Sequence, residues 1–216
     1  MTLHTSTPDV IDQLSGIAPG HPLEAIRAGR AQARIHSQQS YLALFEPQSL
    51  AAGDFSLEER FAVATFVTAV QGQAQASRFY AGGLARQDAS RRLIEALAVE
   101  AAAGTAAGPY GRFPAGPLSR EDAPGPSWRV SDAGRAVLGA RLSAALVHAH
   151  LLVFHPRDAG AQDLQALLDA GWTPTGIVTL SQLVAFLAFQ VRVVTGLQVL
   201  VEHPAPVGST QEPLAS

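Results

Sequence analysis

Few side chains in this sequence could carry chemistry, and the first fact about them is an absence. Its 216 residues include no cysteine. A thiol peroxidase needs one thiolate to attack the peroxide oxygen and a second thiol to resolve the sulfenic acid, so this polypeptide alone can run no such cycle. The histidines come next. His148 and His150 stand two apart on an expected helix and point to different sides, so they cannot share a metal. His148 and His155 do share a face, but only Asp158, beyond Pro156, could join them. His21 and His36 have no metal-type neighbour at helical spacing and read as solvated surface groups. No metal and no cofactor are expected. What remains suits holding a ligand better than transforming it. Gln73, Ala76 and Tyr80 share one face at i, i+3 and i+7. That face is either the floor of a small-molecule pocket or ordinary core around a buried tyrosine hydroxyl. Arg192 is the one fixed positive charge in a long apolar stretch. A buried guanidinium without an acid is costly. Arg192 is therefore expected either to pair with an acid, Glu59 being the candidate, or to face a cavity that takes a small organic acid.

Gln73, Ala76 and Tyr80 lie in Arg60 to Tyr80, RFAVATFVTAVQGQAQASRFY. The stretch resembles the active-site segment of the alkylhydroperoxidase AhpD-like proteins, the carboxymuconolactone decarboxylase superfamily. In that family's thiol peroxidases the segment reads roughly Arg-Glu, a mostly apolar run, Asn-Gly-Cys-x-x-Cys and a following His. Gln71-Gly72 falls where the Asn-Gly sits. The family's glutamate then falls on Phe61, its cysteines on Gln73 and Ala76, and its histidine on Tyr80. The resemblance implies an all-α helical bundle, and the substitutions remove the family's best-known chemistry, since Phe61 accepts no proton and neither Gln73 nor Ala76 is a nucleophile.

The second half carries a further likeness, to the peroxidase-related branch. A helix from Val130-Ser131-Asp132 to about Phe154 is followed by a short one, Asp163 to Ala170, ended by Gly171. A long apolar helix after Thr173-Pro174 then carries Ala185, Phe186 and Arg192. The resemblance spans roughly residues 55 to 200. It implies homo-oligomers formed through the long apolar helix. Three functional readings follow: a pseudo-enzyme or small-molecule-binding protein, a cysteine-independent enzyme like the lactone decarboxylases, or a partner subunit for a cysteine-bearing paralogue in oxidative-stress defence.

Composition sets the frame. The net charge of -3 comes with no basic block, and all 15 cationic residues are arginine, so nucleic acid is not an expected partner. Apolar residues make up 47%, within the globular range. Gln182, Gln190 and Arg192 interrupt the long apolar stretch, and no uninterrupted run approaches the roughly 18 residues of a membrane span. With no cysteine framework and no signal-like N-terminus, a cytoplasmic protein is expected.

The elements that must position the candidates can be read in order. Thr7-Pro8-Asp9 starts a short helix stopped by Gly16, and His21-Pro22 leads into a second over Leu23–Ala28. A third runs from Arg30 to Phe45, with Ile35, Tyr41, Leu42 and Phe45 on its apolar side. Ser56 and Glu59 form a capping box for the central helix, and Gly72 breaks it. Residues 88–103 are alanine-rich and helical. Between Gly104 and Pro126 ten residues are Gly or Pro, which excludes a regular helix or strand. The aromatic content of that stretch predicts an ordered loop packed over a groove or a neighbouring subunit. One domain is expected: N-terminal helices over 1–54, the degenerate-site half over 55–103, the loop over 104–129, the second half over 130–203 and a disordered tail over 204–216. Similar starts at Ser56 and Thr173 suggest two related helical halves.

Overall fold

The computed structural model describes residues 8–50, 55–87 and 89–203. Thr7, Asp88 and the 204–216 tail lie outside them. Among the described residues the regular structure is helical: α1 (Val10–Ser15), α2 (Leu23–Ala28), α3 (Ala31–Phe45), α4 (Leu57–Val70), α5 (Ala74–Ala85), α6 (Arg91–Gly104), α7 (Asp132–Phe154), α8 (Ala161–Asp169) and α9 (Pro174–Glu202). A 3-10 turn at Pro117–Glu121 and one isolated antiparallel bridge, Gly111 to Ala123, complete it. The all-α class expected from the sequence is the class observed.

The axis is α4. Every side chain from Arg60 to Thr68 is buried, with Val70, and a helix without a polar face is stable only when enclosed. α3, α5, α6, α7 and α9 enclose it. Its start is the expected capping box: the Ser56 hydroxyl accepts from Glu59 N, and the Glu59 carboxylate accepts from Ser56 N. Polar groups inside α4 are satisfied locally. Arg60 donates to the Phe55 and Leu44 carbonyls, and the Thr65 and Thr68 hydroxyls donate one turn back.

The N-terminal helices are fastened by charge. Asp9 is the cap of α1, two residues past the expected cap at Thr7. Its carboxylate and that of Asp12 take both Arg27 of α2 and Arg34 of α3, at 2.6 to 3.4 Å. Ile35, expected on the apolar side of α3, is instead 46% exposed. A second buried carboxylate, Glu100 of α6, accepts from Ser131 at the positive end of α7. Gly134 leaves room for it, since a Cβ there would fall 2.2 Å from Glu100 Oε1.

The Gly/Pro-rich stretch is ordered and packs on its own chain. Gly111 and Ala123 exchange backbone hydrogen bonds. Asp158 accepts from Arg112 N, and Arg157 lies 4.2 Å over the Phe113 ring. Trp128 is held between Phe66 and His150, 5.0 Å from each ring centre. The stretch thereby closes over the C-terminal end of α7.

Both α7 and α9 are long and apolar enough to cross a membrane by length and composition. The most apolar window of α7 is 56% buried inside the protein, that of α9 only 39%. α7 is thus a core helix, and α9 leaves one long face uncovered.

Candidate functional site

The elbow between α4 and α5 holds Gln71, Gly72 and Gln73 of the candidate segment. Gly72 turns the chain with φ +74°, a conformation that favours glycine. Gln73 then caps α5, its side-chain oxygen accepting from Gln75 N at 3.1 Å. Its amide nitrogen donates to Gln198 Oε1 of α9 at 2.8 Å. Gln198 in turn donates to Gln75 Oε1 at 2.8 Å and to the Leu14 carbonyl of α1 at 3.1 Å. A chain of amides thus joins three helices around an open cavity of about 580 Å³, which Gln71, Ser15, Thr195 and Glu202 also line. The Ser15 hydroxyl is buried there without a hydrogen-bond partner.

The other candidates go elsewhere. Ala76 and Tyr80 are completely buried and Phe61 nearly so. Phe45 lies 4.9 Å from both Phe61 and Tyr80, ring to ring, and Phe79 and Tyr41 extend the cluster. Gly83 makes the cluster possible, because a Cβ there would stand 2.2 Å from the Phe61 ring. The Tyr80 hydroxyl donates to Gln190 Oε1 at 2.6 Å. Burial pushes that hydroxyl well above its ordinary pKa, only partly opposed by the Gln190 bond, so it stays protonated and acts as a donor. Gln73, Ala76 and Tyr80 therefore form no common pocket floor. Gln73 turns to the elbow cavity, while Ala76 and Tyr80 close the core, since aromatic packing fills the space a reactive pair would need.

Arg192 does not make the expected pair with Glu59. Glu59 pairs instead with Arg141 of α7 at 2.6 Å, whose guanidinium also stacks 4.2 Å over Trp172. Arg192 is exposed, donates to the Ala188 carbonyl of its own helix at 2.7 Å, and borders a separate cavity of about 240 Å³ beside Gln71 and Pro109. An exposed guanidinium keeps access to solvent, so burial imposes no need for an acid partner.

Among the described residues no group of three His, Asp or Glu side chains could hold a metal ion. His150 Nε2 donates to the Gly104 carbonyl at 2.9 Å. His155 bridges Asp158 and the Pro126 carbonyl. Gln190, Gln198 and Gln75 were not singled out as site residues from the sequence. The one signal available was their polarity: Gln190 and Gln198 interrupt an apolar helix, and each proves to be the hydrogen-bond partner of a residue in the motif. Comparison with known proteins gives no match to a family model, a curated protein or a solved structure.

Proposed function

We propose that this chain is a cysteine-less AhpD-like protein that binds a small uncharged molecule at the α4–α5 elbow and has no thiol peroxidase activity. The observation that carries this reading is the amide chain Gln73–Gln198–Gln75 around the open cavity, with the Ser15 hydroxyl buried and unpartnered beside it. Amides present donors and acceptors together, so they suit a ligand that does the same, such as a primary amide or a hydroxylated lactone. Glu202 at the rim disfavours an anion there. Catalysis on a lactone would need an acid and a base within reach. At the elbow the titratable lining group is Glu202, and Tyr80 is committed to Gln190, which supports binding over turnover.

A thermal-shift screen of neutral amides and lactones against small organic acids tests the reading on wild type, Gln198→Ala and Arg192→Gln. A neutral compound should stabilise wild type and Arg192→Gln but not Gln198→Ala. Stabilisation by acids alone, lost in Arg192→Gln, would move the site to the Arg192 cavity. If neither class stabilises the wild type, the binding role fails and the partner-subunit reading replaces it.

A separate observation favours assembly. On α9, Val178, Gln182, Ala185, Phe189, Arg192, Gly196 and Val199 are all exposed. They recur at alternating steps of four and three, the seam spacing of paired helices. A parallel pair would set Arg192 against its copy. An antiparallel pair centred on Phe189 sets Val178 near Val199, Gln182 against Gly196 and Ala185 near Arg192. We infer a two-fold homo-oligomer of that geometry.

A further inference from the structure

A second cavity of about 500 Å³ lies between α7 and α8, away from the elbow. It exists because its floor and wall are small. Ala140 and Ala144 on α7 face Ala166 on α8 and Ala170 at its C-terminal cap, and α8 sends only Leu167 into the core. Val147 and Leu151 continue the floor as an apolar surface. Arg129 and Arg135 stand at its edge, both exposed and without a carboxylate partner among the described residues.

The informative group is His148, which lines this cavity and is only 4% exposed. Its Nε2 lies 3.4 Å from Ser181 Oγ, and that hydroxyl already donates its one hydrogen to the Ile177 carbonyl at 2.9 Å. Ser181 can then only accept, so Nε2 carries the ring proton and Nδ1 is left as an acceptor. Nδ1 is buried with no partner. A buried acceptor left unmade is costly, and native structures rarely keep one without a reason. Asp163 lines the same cavity and its charge is felt at the imidazole. A hydrogen-bond donor placed here meets a neutral acceptor and a carboxylate together, which suits an ammonium group. The two free guanidiniums at the edge suit a carboxylate.

We propose that the α7–α8 cavity is a binding site for a small aliphatic amino acid. Its ammonium group lies against His148 Nδ1 and Asp163, its carboxylate against Arg129 and Arg135, and its side chain on Ala144, Val147 and Leu151. The site is independent of the elbow and of any AhpD-like ancestry.

Isothermal titration of the full chain with L-leucine, 4-methylpentanoate and 3-methylbutylamine tests it, the last two lacking the ammonium and the carboxylate in turn. L-leucine should bind saturably, and each half-molecule at least 10-fold more weakly. Ala144→Leu fills the cavity from its partly exposed floor and should abolish binding, and Arg135→Gln should weaken it at least 5-fold. Gln198→Ala, at the elbow, should leave it unchanged. His148→Phe should abolish it too, and if that variant does not fold, Ala144→Leu and Arg135→Gln decide alone. Absence of leucine binding overturns the proposal, as does equal binding of 4-methylpentanoate or leucine binding that survives Ala144→Leu.

Discussion

At the scale of single residues, the interior of this protein depends on glycines that make room for larger partners. Gly83 admits the Phe61 ring, and a Cβ at that position would fall 2.2 Å from it. Gly83→Ala should therefore lower stability by about 1 to 3 kcal/mol, the usual range for overpacking a closed core. Phe61→Leu should cost stability alone yet recover part of the loss when combined with Gly83→Ala. Chemical denaturation of the four proteins gives the coupling. A purely additive cycle would mean that the two positions do not touch as described. His148 and His150 show a second effect of burial. Desolvation lowers the pKa of both, opposed by Asp163 for His148 and by the Gly104 hydrogen bond for His150. Folding thus favours the neutral imidazoles. Their contribution is complete above about pH 6.5, the ordinary histidine value, and is lost as pH falls through their lower folded-state values, because the unfolded chain takes up protons first. The melting temperature should fall between pH 7 and 5, with a shallower slope in His150→Gln. An unchanged slope would assign the acid sensitivity to other groups. Asp158, held below the usual carboxylate range chiefly by the Arg112 N–H and His155, acts in a separate, lower window.

At the scale of elements, α9 joins the proposed sites. Its buried side supplies Gln190 to Tyr80 and Gln198 to the elbow, and Ser181 to His148. Its open side carries the four-three seam. Phe186 and Phe189 separate the two sides: Phe186 is buried in the chain, and Phe189 is 43% exposed. Phe186→Asp should unfold the protein. Phe189→Asp should leave a folded monomer of the same helical content where the wild type is a dimer by light scattering at micromolar concentration. A wild type that is already monomeric there, or a Phe189→Asp variant that remains dimeric, would remove the proposed seam.

At the scale of the whole molecule, the helices are arranged around one fully enclosed member, and the cavities lie where small or polar residues interrupt that packing. The elbow cavity follows from the break at Gly72, and the α7–α8 cavity from the alanines on both walls. Neither cavity is lined by the aromatic cluster of Phe45, Phe61 and Tyr80, which holds two of the four candidate positions, Phe61 and Tyr80. The molecule thus separates a rigid centre from recesses at its periphery, an arrangement suited to binding without deep rearrangement.

Local signals in the sequence determined the helices. The Ser56 capping box, the breaks at Gly16, Gly72 and Gly171 and the run of apolar residues in α4 are short-range features, and each appears as read. The order of the 104–129 stretch was also legible, since Tyr110, Arg112, Phe113 and Leu118 are more apolar and aromatic content than a plain linker needs. Leu118 is nevertheless 49% exposed, and the main aromatic contact is made by Trp128, outside that set. The partners of polar side chains were not legible. Nothing in the spacing says that Glu59 meets Arg141 82 residues away rather than Arg192. Nor does it say that Tyr80 spends its hydroxyl on Gln190, 110 residues on. Helical periodicity assigns a residue to a face. Which face meets which, and whether a ring or a cavity fills the space between them, is set by the packing of distant helices, and only the tertiary structure decided it.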